Sequence, residues 1–156
     1  MKTKALGGLM ATIRQATTAD LPSIGEILEN AGLPFSDIST SHLPDFLVVE
    51  KDKAIVGCVG IERYGRDALL RSLAVDASRQ GTGQGRHLVE AIEAHARETG
   101  IAHLFLLTTS ASSFFEDHGY REIARDAAPE ALRHSTQFVK MCPASAVCME
   151  KDLGNG

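Results

Sequence analysis

Gln80-Gly81-Thr82-Gly83-Gln84-Gly85 follows the apolar run Ala68 to Val75 and opens a helical pattern that continues to about Thr99. Glycine at alternate positions keeps side-chain bulk off the backbone, so successive N–H groups can turn toward one anion. The helix that follows adds its positive N-terminal end. The stretch therefore reads as a phosphate cradle. It is not a P-loop, which needs G-x-x-x-x-G-K-[ST], because Arg86 and His87 follow Gly85 where the lysine and hydroxyl belong. Nor is it a dinucleotide fingerprint, since counting G-x-G-x-x-G from Gly81 and Gly83 puts Arg86 at the third glycine.

The composition narrows what kind of molecule carries this loop. A chain of 156 residues, 44% apolar and 23% charged, can bury one good core and is short for two. A net charge of −4, with no basic stripe, speaks against a nucleic-acid partner. The apolar stretch near the N-terminus is broken by Gly7 and Gly8 and is far too short to span a bilayer, so a cytoplasmic protein with no membrane partner is expected. Residues 1–11 are expected to form a flexible extension and 12–153 the folded domain. Cys58, Cys142 and Cys148 have neither a C-x-x-C nor a zinc spacing, and no metal site is expected. Thiolates favour soft metalloids, which raises arsenite binding at Cys142 and Cys148; Pro143 between them and the surrounding strand pattern favour a structural role.

Taken in order, Ala11 to Ala16 alternates as a first strand, and Thr17-Thr18-Ala19-Asp20 offers caps for a helix that buries Leu21, Ile24, Ile27, Leu28 and Ala31 and ends at Gly32. Pro34 to Pro44 lacks periodicity and reads as a loop with at most a short helix, the natural place for a variable pocket wall. Phe46–Glu50, Ala54–Ile61 and Asp67–Val75 read as an antiparallel meander leading into the glycine loop. After the long helix, which Gly100 closes, the dense run Leu104 to Leu107 within Ala102–Thr108 reads as a buried strand. A short helix holding Phe114 and Phe115 comes next, then a helix start at Pro129-Glu130. Phe138–Met141 and Ala146–Leu153 are expected to close the fold as a hairpin.

Gln80, Gly83 and Gly85, set between strand and helix, fit Q/R-x-x-G-x-G/A and resemble the coenzyme A pyrophosphate loop of the GNAT superfamily of N-acetyltransferases. The resemblance covers nearly the whole of residues 12–153. It implies an α/β fold: a GNAT-type single domain, a mixed central sheet with splayed central strands, here Leu70–Val75 and His103–Thr108, and flanking helices. Leu104 to Thr109, Phe114 to Tyr120 and Pro129-Glu130 look like the acetyltransferase domain of N-acetylglutamate synthase. Gly57 to Gly65, Leu69 to Val75 and Cys142 to Met149 look like the N-acetyltransferases associated with bacterial arsenic resistance.

The resemblance implies acetyl-CoA as co-substrate. Leu73, Ala74 and Val75 would meet the pantetheine arm and thioester, Gln80, Gly81, Thr82, Gly83, Gln84, Gly85 and Arg86 the pyrophosphate, and Phe115 would line the cofactor. A small-molecule amine acceptor is implied, an amino acid or a phosphinic or arsenic-bearing analogue of glutamate; a homodimer is the expected assembly. For such an acceptor Arg71 is the candidate carboxylate grip, with Arg63 in reserve and Thr108 nearby, and Glu62 the candidate base, acting directly or through water. Phe115 stands where many superfamily members carry a Tyr that protonates the leaving thiolate, so a hydroxyl of Ser110, Ser112 or Ser113, or water, takes that role, with Ser112 the candidate. The related synthases carry a Glu near Leu69, which is missing here. Loss of the tyrosine keeps a non-catalytic acyl-CoA sensor open as the second reading; acetylation of a peptide is the third.

Overall fold

The computed structural model describes residues 4–6, 11–76, 83–141 and 143–154. The chain divides into two compact units, Met1–Ile61 with Ser72–His95, and Glu62–Arg71 with Ala96–Gly156. The strands are β1 (Lys4–Leu6), β2 (Ala11–Gln15), β3 (Phe46–Lys51), β4 (Ala54–Tyr64), β5 (Asp67–Val75), β6 (His103–Thr108), β7 (Arg121–Ile123) and β8 (Val147–Asp152); the helices are α1 (Leu21–Asn30), α2 (Gln84–Glu98), α3 (Ser112–Glu116) and α4 (Glu130–Arg133). Strand order is β1-β2-β3-β4-β5-β6-β8-β7. β5 and β6 run parallel, whereas the pairs β1–β2, β2–β3, β3–β4, β6–β8 and β7–β8 are antiparallel, so the sheet is mixed as expected.

In the first unit β3 and β4 form a hairpin whose central residues Asp52 and Lys53 lie at φ 50 and 67, the left-handed pair that matches the right-handed twist of the strands it joins. Alternation along these strands sends Phe46, Val48 and Cys58 to one face, where Ile24, Ile27 and Leu28 of α1 cover them. On the other face, a Cβ built on Gly57 would come within 3.2 Å of Leu88 on α2. The Phe46 ring is fully buried, and it fits only because Gly60 has no side chain: a Cβ there would lie 2.4–2.5 Å from three ring atoms. Arg14 on β2 ties the start of α1 to the hairpin, with bonds to Asp20 at 2.8 and 3.0 Å and to Glu50 at 2.9 Å.

In the second unit β6 pairs with β8 over its whole length, from His103↔Asp152 to Thr108↔Val147, and β7 adds to the far edge of β8. Leu69, Phe105, Ala128, Leu132, Phe138 and Cys148 form its core, with Tyr64 packed against them. The parallel β5–β6 ladder runs from Asp67↔His103 to Leu69↔Phe105 and, among the described residues, goes no further, although both strands continue.

Two expectations need correction. Phe138–Met141 is no strand but part of a π-helical turn, Gln137–Met141; the Ser135 carbonyl accepts from the Val139 N–H, and the turn rolls Phe138 into the core. The partner of β8 on that side is β7, too short to register as a strand in the pattern. Lys4–Leu6 and Ala11, expected within a flexible extension, pair as β1 against β2 and as the first residue of β2 itself. The aperiodic segment before Phe46 ends in a 3-10 helix, Thr40–Asp45.

The packing of the first unit leads to two predictions. Gly60→Ala drives a methyl into a buried ring and should cost about 1–3 kcal/mol, read as a Tm lower by several degrees with the far-UV spectrum unchanged. The Arg14 guanidinium, with the Thr17 N–H, holds the Asp20 carboxyl below its ordinary value. A depressed carboxylate stabilises the fold fully above its unfolded value of about 4, and that contribution is lost as pH falls through the lower folded value. The stability gap between the protein and Asp20→Asn, measured by urea unfolding, should thus be widest at neutral pH and shrink below about pH 4. A gap that stays constant into acid would refute the pairing.

Candidate functional site

The acceptor and catalytic candidates all fall in the second unit, whereas the cofactor candidates, Phe115 excepted, fall in the first. In the second unit the turn Gly65-Arg66 folds β4 back into β5, and Glu62 and Arg71 meet across it. Arg71 Nη1 donates to Glu62 Oε2 at 2.5 Å, and the two side chains are only 2% and 12% exposed. Tyr64, two residues along the same strand and so on the same face, donates its phenol to Glu62 Oε1 at 2.9 Å. Burial and then this bond to Glu62 push the Tyr64 phenol up to about 12, so at neutral pH it is a protonated donor; Ser135 hydrogen-bonds it in turn. Glu62 and Arg71, expected as base and carboxylate grip, are therefore brought together as one buried ion pair.

The other acceptor candidates have different partners. Arg63, one residue further along β4, points to the opposite face and donates to the Thr99 hydroxyl at 2.6 Å and carbonyl at 3.3 Å, clamping the end of the long helix. Thr108 ends β6, and its Oγ1 accepts from the N–H of Ala111 at 2.9 Å and of Ser110 at 3.4 Å, which shapes the turn into α3. Ser112 is the first residue of α3 and half-buried. Phe115 is buried on the same helix, edge-on to Phe114 and to Tyr120 with ring centroids 5.2 and 5.4 Å away.

In the first unit Leu73, Ala74 and Val75 close β5, and the residue before them is distorted. Ser72 has φ 63, a left-handed conformation in the middle of a strand that costs a non-glycine residue roughly 1–2 kcal/mol. The buried Cys58 thiol donates to its carbonyl at 3.3 Å. Gln80, Gly81 and Thr82 lie outside the described residues. The rest of the loop is a helix start: Gly83 at φ 83, where any side chain is strained, then α2 from Gln84, with a bond from the His87 N–H to the Gly83 carbonyl at 3.1 Å. The N–H groups of Gln84, Gly85 and Arg86 precede that bond, as the first donors of a helix do, and point out of its positive end. Buried Gln84 Oε1 has no hydrogen-bond partner among the described residues. Arg86 is exposed and lies 3.5 Å from Glu90. This donor set is of the kind that receives an anion at a helix N-terminus.

A cleft of about 550 Å³ in the first unit is lined by Arg14, Glu26, Glu50, Lys53 and Asp76, and shares only Val75 with the candidates. Cys148 is buried and burial pushes its thiol up to about 11, which suits a core residue; Cys142 lies outside the described residues. No helix among the described residues is long and apolar enough to cross a membrane.

Residues 42–122 match the acetyltransferase (GNAT) domain family. The chain belongs to this family. It is thus an acyltransferase, and its mixed sheet with flanking helices is the GNAT architecture. An uncharacterized N-acetyltransferase of Chlorobaculum tepidum is 33% identical over 90% of this chain and 96% of its own length. The amino-acid acetyltransferase of Neisseria meningitidis is 29% identical over 78% of this chain. The structure of N-acetylglutamate synthase from Neisseria gonorrhoeae, complexed with coenzyme A and N-acetyl-glutamate, superposes with a TM-score of 0.80 at 26% identity over 92% of this chain. This chain spans 30% and 35% of those two longer proteins.

Sequence patterning did not single out two members of the site, Tyr64 and Ser72. Tyr64 had a readable signal, its i+2 spacing from Glu62 on a strand; Ser72 had none, because serine does not announce a left-handed backbone. The ion pair carries its own prediction. Removing one partner strands a buried charge, so Arg71→Met should cost about 3–5 kcal/mol, while the double variant with Glu62→Leu should cost less than the sum of the two single changes. Additive losses in a urea double-mutant cycle would mean the pair is not coupled.

Proposed function

We propose that this GNAT domain transfers acetyl from acetyl-CoA directly to the amino group of a small amino acid, with glutamate and its phosphinic or arsenic-bearing analogues as the leading candidates. The observation that carries the proposal is the buried Glu62–Arg71 pair in a chain similar to a synthase that holds coenzyme A and N-acetyl-glutamate. An amino acid is a zwitterion, and a carboxylate beside a guanidinium offers it both complementary charges: Arg71 for the carboxylate, Glu62 for the ammonium and then its proton. Arg63 and Thr108, held by Thr99 and by the Ser110-Ala111 turn, act as supports rather than as direct grips.

In the proposed reaction the deprotonated amine attacks the thioester carbonyl carbon. A C–N bond forms and electrons move onto the carbonyl oxygen, where the Leu73 N–H stabilises them. The oxygen's electrons then return, the C–S bond breaks, and the departing thiolate takes up the second proton that the nitrogen loses as it becomes an amide, relayed by the Ser112 hydroxyl, which gives up one proton as it receives the other, or by water. Glu62 receives the proton lost by the ammonium. Fixed N–H dipoles are effective here because they need no reorganisation as charge develops. Val75 and Ala74 line the pantetheine arm, Phe115 gives an apolar wall to the cofactor, and residues 80–86 hold the pyrophosphate. The second reading, an acyl-CoA sensor, is favoured by two observations: both Glu62 oxygens already accept a hydrogen bond, and Phe115 supplies no acid.

Thiol release from acetyl-CoA across a panel of acceptors separates these readings. Free amino acids should be acetylated and their amides should be poor substrates; a preference for polyamines would overturn the amino-acid assignment, and no turnover with any acceptor would favour the sensor. Gly85→Leu puts a good helix former at the second position of α2 but fills the cradle. It should weaken CoA binding by roughly tenfold or more in calorimetry, the scale expected for a blocked anion site, while Tm changes little.

A further inference from the structure

Cys58 sits in β4 opposite Val48, fully buried in the core that α1 covers, where it has no access to solvent and no place in the proposed chemistry. Its thiol nevertheless makes a directed contact, donating to the carbonyl of Ser72 at 3.3 Å. Ser72 is the residue whose left-handed φ of 63 turns the β5 backbone just before Leu73. The Ser72 carbonyl and the Leu73 N–H belong to one peptide unit. That unit is trans, as no cis peptide occurs among the described residues, and in a trans peptide the two groups point in opposite directions. Whatever fixes the carbonyl therefore aims the N–H. With the Ser72 oxygen held toward Cys58, the Leu73 N–H is directed away from the α1-covered core.

We propose that Cys58 is a positioning residue for acetyl transfer: its S–H, by holding the Ser72 carbonyl, sets the direction of the Leu73 N–H that stabilises the thioester oxygen. The inference rests on the reading of Leu73 as that donor. An oxyanion donor works only when its direction is set before charge develops, and a strand residue with a left-handed φ is out of line with a regular ladder, so that a separate contact keeps its peptide plane from rotating. A thiol suits this position because it is small enough for a close-packed core and still a donor, which alanine and valine are not. Both groups lie where water does not compete, Cys58 at 0% and Ser72 at 9% exposure.

The test compares Cys58→Ala, which loses the donor, with Cys58→Ser, which keeps one. Cys58→Ala should lower kcat by about two- to fivefold, the range set by a weak S–H···O bond, with KM for acetyl-CoA unchanged within error. Cys58→Ser should restore kcat, because a hydroxyl is the stronger donor and needs only a small inward shift. A role limited to core packing would instead lower Tm in both variants with kcat alike. In the ligand-free protein the amide cross-peak of Leu73 should move in Cys58→Ala and return toward its place in Cys58→Ser. Equal kcat in the two variants, or a Leu73 amide that does not move in Cys58→Ala, overturns the proposal. If the unmodified protein releases no thiol from acetyl-CoA, the transfer reading fails by itself, while the Leu73 amide still decides whether Cys58 positions that peptide.

Discussion

β5 is a strand that loses its parallel neighbour partway along. Its ladder with β6 ends at Leu69↔Phe105, yet the strand continues to Val75, and a buried backbone that leaves a ladder must find other partners for its polar groups. Just beyond that point the chain makes its two least ordinary arrangements. Arg71 buries a guanidinium against Glu62, and Ser72 adopts a left-handed conformation with its carbonyl on the Cys58 thiol. A regular strand would have needed neither. The functional candidates on β5 stand beyond the point where its ladder with β6 ends.

The Glu62–Arg71 pair also changes what each residue can do. A carboxylate that already accepts from a guanidinium and a phenol differs from the exposed carboxylate that a strand glutamate suggests by default. A guanidinium at 2% exposure differs equally from a solvated surface arginine. Taking two charges out of water is expensive, and a pair in that position is weak evidence for stability. Tyr64, kept protonated by burial and by Glu62, holds the carboxylate from its other side, so the pair has a fixed orientation rather than a range of them.

Much of the fold was legible in the sequence because it rests on local periodicity. The α1 stripe of Ile24, Ile27 and Leu28, the meander of β3, β4 and β5, the buried run in β6 and the helix opening at Gln84 each follow from side-chain spacing that one element displays by itself. What failed was short or non-local: β1 and β7 have three residues each, and the Gln137–Met141 turn has a strand-like composition that Phe138, rolled into the core, overrides. Cys58 and Cys148 are core residues, since free cysteine behaves as a small hydrophobe.

The chain's residues alone determined that a glycine-rich stretch with the pattern of a phosphate cradle lies between a strand and a helix, that the fold is α/β, and that Glu62, Arg71 and Phe115 were the positions to watch. These depend on residue type and spacing, which the one-dimensional pattern records. Tertiary structure alone decided that Glu62 and Arg71 are partners and not separate tools, that Arg63 is occupied by Thr99, and that the peptide after Ser72 is turned and held by Cys58. The physical reason is that these facts concern directions. A hydrogen bond or an ion pair is set by where groups point once strands are in register, and composition and period carry residue identity but not orientation.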